Sequence, residues 1–176
     1  MSLRTEMRKL VADATSYQRK DEFFKPDFNT CNRQLAIFPQ SRALESLSLP
    51  QYGLPRYWCI WFLNEFANSS GHTNVFRGYH EFLIEHIPQN KVGFNLNENL
   101  EKKIIDSFRL VFSRETRNAP YIFRGGFVTD NSKSQPWPGD SSGWKRVYRR
   151  VIRKIDLEIV NQGKPNQAEY FLREMS

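Results

Sequence analysis

The sequence contains very little cysteine, with only Cys31 and Cys59 among 176 residues. The two lie 28 positions apart, form no C-x-x-C pair and have no histidine beside them at metal-ligand spacing. This pattern excludes a dense disulfide framework and a cysteine-based zinc site. We therefore expect two free thiols in a reducing compartment.

Long apolar runs are also absent. No stretch approaches the ~20 consecutive apolar residues that a membrane-spanning helix needs. The first residues, MSLRTEMRKLVADATS, carry charges where a secretory signal would need an apolar region. We expect a cytoplasmic protein without a membrane span.

Recognisable catalytic and cofactor motifs are missing as well. The sequence has no glycine-rich phosphate loop and no G-x-S-x-G nucleophile motif. His80 and His86 are six positions apart, whereas a zinc-binding helix places its two histidines four apart on one face. We expect no cofactor and no metal, and this favours a non-enzymatic protein. A catalytic site assembled from residues without a motif would escape this test.

What the sequence does have is enough apolar material for one core. Apolar residues make up 39% and aromatic residues 14% of the chain, which is too rich for a disordered protein. The length suits a single domain spanning residues 1–176.

Apolar residues recur mostly at a spacing of three to four, which is typical of amphipathic helices. The pattern predicts a mainly α fold, a single-domain bundle of six or seven helices, with room for one small β element near 120–128. The predicted helices cover residues 2–19, 41–48, 56–67, 75–87, 97–115 and 144–161, with a last short helix after Pro165.

Two stretches break the helical pattern. Residues 120–128 have the composition of a strand, and Gly125-Gly126 within them indicates a turn or bend. Residues 129–143 are dense in serine, proline, glycine and aspartate, which predicts a surface loop.

The charge is strongly localised. Lysine and arginine number 26 against 19 acidic residues, for a formal net charge of +7. Residues 144–154 hold six of these cations and no acid, so the rest of the chain has 20 cations against 19 acids and is nearly neutral. On a helix over 144–161, the apolar residues fall within an arc of roughly 140° and the cations fill the other side. These cations are Lys145, Arg146, Arg149, Arg150, Arg153 and Lys154.

A local cationic excess is typical of a protein with a polyanionic partner. We therefore interpret the chain as a nucleic-acid-binding protein, with RNA or DNA as partner, that contacts the phosphate backbone through this basic amphipathic helix. Trp137, in a proline-flanked loop, is a candidate for stacking on a base. Arg124, beside Gly125, is a candidate for holding one anion together with backbone N–H groups.

Three alternatives use the same segment. The basic helix could dock an acidic partner, as in an inhibitor, immunity or adaptor protein. It could lie on an anionic membrane surface. It could also be a solvated face whose apolar side simply packs on the bundle.

Overall fold

The protein is described here by a computed structural model, which covers residues 4–19, 35–38, 41–44, 46–47, 49, 55–66, 72–87, 107–135, 144–161 and 169–176. Almost all regular structure in these ranges is β-strand. The strands are β1 (Arg4–Val11), β2 (Ser16–Tyr17), β3 (Leu35–Phe38), β4 (Tyr57–Asn64), β5 (Thr73–Arg77), β6 (Phe82–Ile87), β7 (Ser107–Arg114), β8 (Tyr121–Thr129), β9 (Trp144–Ile152), β10 (Lys154–Asn161) and β11 (Glu169–Glu174). A short 3-10 helix spans Ser41–Leu44.

The strands form two sheets. The larger has eight strands in the order β3-β4-β7-β8-β9-β6-β5, with β2 paired to β8 beside this path. Its β4 and β7 run parallel, and its other neighbours run antiparallel. The smaller sheet has the order β1-β10-β11 and is antiparallel throughout. The smaller sheet packs against one face of the larger, which we call the inner face; the opposite face is the outer face.

The predicted helical bundle is therefore wrong. The predicted helix at 2–19 is replaced by β1 and β2, that at 56–67 by β4, and that at 75–87 by the β5–β6 hairpin. The described part of 97–115 is β7, and only the predicted helix at 41–48 retains one short helical turn. The short helix after Pro165 is replaced, within the described residues, by β11.

The β4 sequence shows why the helical interpretation failed. Its run YWCIWFLN is buried at six consecutive positions, because both faces of this central strand are covered. A continuous apolar run of this length does not distinguish a buried helix from a strand buried on both faces. Aromatic and β-branched side chains, which pack well on a pleated surface, favour the strand.

The basic helix predicted over 144–161 is replaced by two strands, β9 and β10, separated by a bend at Arg153. β9 lies in the larger sheet and β10 in the smaller, so this segment passes from one layer to the other. In β10, Ile155, Leu157 and Ile159 are buried and alternate with less buried residues. This period of two is the mark of a strand with one face on a core.

The main core lies between the inner face and the smaller sheet. Trp58 of β4 meets Tyr170 of β11 edge to face, with ring centroids 5.0 Å apart. The cluster joins residues of both sheets, namely Leu10, Trp58, Ile60, Phe62, Phe108, Leu110, Phe112, Phe123, Ile155, Leu157, Tyr170 and Leu172. Burial of this apolar surface is the main force that holds the two layers together.

The β element predicted near 120–128 is present as β8, but as a central strand of nine residues. Its two glycines are sites of close approach and not a turn. A Cβ on Gly126 would lie 2.3 Å from Cζ of Phe108, and one on Gly125 would lie 2.7 Å from Cδ of Arg150. Glycine in a strand interior often marks such an approach. The surface loop predicted from 129 begins later, because Thr129 ends β8 and is buried.

We predict that Gly126→Ala destabilises the protein by about 1–3 kcal/mol, because its methyl group must displace the buried Phe108 ring. Urea unfolding of the variant measures this change. In the double variant Gly126→Ala/Phe108→Leu the loss should be smaller than the sum of the two single losses, since the smaller side chain relieves the overlap. Equal stability of Gly126→Ala and the wild-type protein would contradict this account.

Candidate functional site

The six cations of residues 144–154 do not share a face. On a strand, successive side chains point to opposite sides of the sheet, so a run of cations is divided between both. Lys145, Arg153 and Lys154 are exposed, Arg149 is partly buried, and Arg146 and Arg150 are buried. The single cationic surface expected from the helical interpretation is therefore wrong.

The other two predicted site residues lie elsewhere. Trp137 is outside the described residues. Arg124 lies in β8, only 5% exposed, and its guanidinium is occupied by groups of the protein itself. Its Nε donates to Oγ of Ser113 (2.8 Å), its Nη1 to Oδ1 of Asp13 (2.9 Å) and its Nη2 to Oε1 of Glu65 (3.2 Å). Each of its three nitrogens thus already donates to a group of the protein itself.

Arg150 is the second buried arginine of this network, with a side chain only 1% exposed. Its Nη1 donates to the carbonyl oxygen of Arg124 (2.9 Å) and lies 3.5 Å from Oδ2 of Asp13. Its Nη2 donates to the carbonyl oxygen of Tyr79 (3.0 Å) and to Oε1 of Glu81 (2.9 Å). A buried guanidinium is tolerated when paired in this way, and removal of its partners would be costly.

The turn between β5 and β6 has an uncommon backbone. Gly78, Tyr79 and His80 are consecutive and have φ angles of 62°, 55° and 66°. The left-handed region costs a residue with a side chain roughly 1–2 kcal/mol, so two such residues in a row need external support. The support comes from Arg150, which holds the Tyr79 carbonyl, and from the Glu81 N–H, which donates to the carbonyl of Gly78 (3.1 Å).

This turn presents an aromatic ring to solvent. The Tyr79 residue is 95% exposed, although large aromatic residues usually bury most of their surface. Among the described residues only Met7, 57% exposed, is another exposed large hydrophobic residue. Strained residues that the surrounding structure holds in place are concentrated at functional sites. The turn is therefore the strongest candidate for a contact surface.

His80 follows Tyr79 and faces the same network. Its ring lies against Phe76, with centroids 4.9 Å apart, and its Nδ1 is 3.5 Å from Oδ1 of Asp13. Burial and the charge of Arg124 lower the pKa of His80 more than Asp13 and Glu65 raise it. The imidazole is thus neutral at pH 7. No group of three potential metal ligands occurs in the part of the chain that the structure describes.

A cavity of about 350 Å³ lies beside the turn. Its charged lining consists of Glu81, Arg150, Arg153, Lys154 and Glu174. Glu81 connects the cavity to the buried network, because its carboxylate accepts from both Arg150 and Arg153. Arg153 is 61% exposed and closes this chain of contacts on the solvent side.

Sequence reasoning found the arginines of this site but missed their partners and the turn itself. The turn had a readable signal, because two apolar segments separated by four residues that begin with Gly78 are typical of a hairpin. No signal in the sequence identified Asp13 and Glu65 as partners of the arginines, since Asp13 and Arg124, for example, are 111 positions apart.

Comparisons with known proteins gave no match from which a role for this site could be proposed. The chain matches no protein-family model, no curated protein and no solved structure. Among the described residues, no helix is long and apolar enough to cross a membrane. Cys59, expected as a free thiol, is free and buried, while Cys31 lies outside the described residues.

We predict that Arg150→Met destabilises the protein by about 3 kcal/mol, because the carbonyl groups of Arg124 and Tyr79 lose their side-chain donor and the carboxylates of Asp13 and Glu81 each lose one of two cationic partners. Arg153→Met is the matched control, since the same Glu81 contact is lost at an exposed position and should cost less than about 1 kcal/mol. Urea unfolding of both variants measures the difference. Similar losses for the two variants would show that burial of Arg150 is not what matters.

Proposed function

We propose that this protein is a non-enzymatic interaction module that docks an acidic segment of a partner protein. The docking surface consists of Tyr79 at its tip, the exposed cations Arg77, Arg153 and Lys154, and the cavity beside them. The observation that carries the proposal is the 95% exposed Tyr79 ring on a turn that the buried Arg150 holds in a strained conformation.

Tyrosine suits this role for a physical reason. Its ring offers a large contact area but has only two rotatable side-chain bonds, so binding costs little conformational entropy. Here the backbone of the turn is also fixed in advance by hydrogen bonds from Arg150 and Glu81. A preorganised turn lowers the entropic cost of association further. Tyrosine and arginine are also among the residues that contribute most to binding at interfaces.

The charge around Tyr79 indicates the chemistry of the partner. Arg77 lies in the same hairpin, and Arg153 and Lys154 line the adjacent cavity. All three are exposed, as is one acid of the cavity lining, Glu174, so the exposed charge of this surface is positive by three cations to one acid. A partner segment rich in aspartate and glutamate would meet complementary charge here, which favours both fast association and the correct orientation.

Nucleic-acid binding stays a prediction, but its premise of one cationic helix face is wrong. A phosphate-tracking surface needs several exposed cations along a continuous path. Lys145 of β9 and Arg153 at the bend after it are both exposed but eight positions apart, at most about 26 Å along an extended chain. Between them Arg146 and Arg150 are buried, which favours a local protein-docking surface over a phosphate track.

The test is a display library of random 16-residue peptides selected on the wild-type protein. We expect the selected peptides to be rich in aspartate and glutamate. Tyr79→Ala and Arg153→Glu should each weaken their binding about tenfold or more in fluorescence anisotropy, as loss of an interface hot spot does. Lys145→Glu, an exposed position of β9, is the charge-matched control and should change affinity little.

Binding of labelled single- and double-stranded DNA and RNA is measured beside binding of the peptides, across a salt titration. Binding that Lys145→Glu and Arg153→Glu weaken equally, with a steep salt dependence, would replace the proposal with a nucleic-acid function. Failure to select any peptide, or selected peptides that bind Tyr79→Ala as well as the wild-type protein, would also refute it.

A further inference from the structure

Another buried arginine lies on the outer face of the larger sheet. Arg109 of β7 is only 2% exposed. Its guanidinium carbon lies 4.8 Å from the ring centroid of Trp61 and 4.5 Å from that of Tyr148. The two rings meet edge to face, with centroids 5.5 Å apart. Arg109 thus lies in a predominantly aromatic environment.

The rings do not satisfy the hydrogen-bonding capacity of Arg109. A cation–π contact uses the electrons of a ring face, whereas the N–H groups of a guanidinium point outward in its own plane. Nε and Nη2 of Arg109 are buried and have no acceptor among the described residues. These two nitrogens lie on the same edge of the guanidinium, which is one of the edges that form two parallel hydrogen bonds with a carboxylate or phosphate.

Among the described residues, the neighbouring groups on this face do not supply such an acceptor. The nearby Glu85 carboxylate accepts from the Tyr148 hydroxyl (3.1 Å) and lies opposite Arg146 in the pairing of β6 with β9. Burial disfavours the charge of Arg109, but Tyr148, Cys59 and Glu85 together outweigh this effect and raise its pKa. Arg109 therefore remains a cation with two buried donors to satisfy.

The composition of the surroundings indicates which anion fits. Among the described residues, Arg109 and Arg146 carry two positive charges and Glu85 one negative charge, so a single added negative charge balances these three. Apart from Cys59 and Ser107, whose thiol and hydroxyl contact each other, the described neighbours are apolar or aromatic, with Trp61, Leu83, Val111, Phe127 and Tyr148 in one buried cluster. A doubly charged phosphate would overcompensate the charge and would find few polar partners here.

We propose that Arg109 is the anchor of a binding site for a carboxylate carried on an apolar or aromatic molecule. The carboxylate accepts hydrogen bonds from Nε and Nη2, and the apolar part of the ligand packs against the aromatic cluster. This site shares no residue with the Tyr79 docking surface, and its test does not depend on that proposal.

Benzoate is the probe, and thermal unfolding of the full chain is the measurement. We expect the midpoint of unfolding to rise with benzoate concentration in a saturable way, by about 2–4 °C at roughly five times the dissociation constant. Benzyl alcohol, which lacks the charge, and sodium chloride at the same ionic strength should leave the midpoint unchanged. Inorganic phosphate should have a much smaller effect than benzoate.

Two variants separate a ligand site from a merely structural arginine. Arg109→Met should unfold at the wild-type temperature or above it without benzoate, because replacing an unsatisfied buried charge with an apolar side chain of similar volume is often neutral or stabilising. It should also lose the benzoate effect. Arg109→Lys keeps the positive charge but lacks the two parallel N–H donors of a guanidinium, so it should retain only a fraction of the benzoate effect.

Several outcomes would overturn the proposal. They are an unfolding midpoint of the wild-type protein that does not respond to benzoate, an equal response of Arg109→Met, and a marked drop in the midpoint of Arg109→Met without ligand. A response to phosphate that exceeds the response to benzoate would refute the assignment to an apolar carboxylate.

Discussion

The buried charge of Arg150 is the constraint on which the functional part of the structure depends. A guanidinium does not lose its proton under physiological conditions, so its burial requires acceptors on several sides. These acceptors come from the backbone of β8 at Arg124, from the β5–β6 turn at Tyr79 and Glu81, and from Asp13 in the β1–β2 turn. Two of them are main-chain carbonyls, which means that Arg150 fixes backbone positions and not only side-chain conformations. One of these carbonyls belongs to Tyr79, in the strained turn that exposes its ring.

Gly125 makes the passage of Arg150 across β8 sterically feasible. Its φ of 124° lies in a region that side chains rarely adopt, and a Cβ there would meet both Cδ of Arg150 and the carbonyl oxygen of Ile152 at 2.7 Å. The adjacent Gly126 performs the corresponding task for the Phe108 ring. The two glycines therefore let β8 be approached closely by the arginine network and by the apolar core. A turn prediction from Gly-Gly identified an unusual site correctly but assigned it the wrong geometry.

The composition of the core could be predicted from the sequence, but its geometry could not. Trp58, Ile60 and Phe62 are buried, as their apolar character indicates, yet a run that is apolar on both faces carries no period that separates helix from strand. In β10, by contrast, Ile155, Leu157 and Ile159 alternate with a period of two, which is a strand pattern. The apolar residues of β9, just before it, are spaced three to four apart, and this spacing led to a helix prediction for the whole segment. The site was predictable only in part. Its arginines stand out by their charge, whereas their acidic partners are brought close by a sheet whose pairings connect distant segments.

Cations that are close together along a chain need not share one surface, because successive side chains of a strand point to opposite faces of the sheet. The contacts of Glu81 show the result. Arg150 and Arg153 are three positions apart and both donate to the Glu81 carboxylate, yet one is buried and the other 61% exposed. Arg150 has additional acceptors at Arg124, Tyr79 and Asp13, so its charge stays compensated if Arg153 turns to a partner's carboxylate. An exposed ion pair contributes little to stability, and exchanging it for an intermolecular one costs correspondingly little. The run of cations thus combines a fixed buried anchor with an exposed contact that is free to exchange partners.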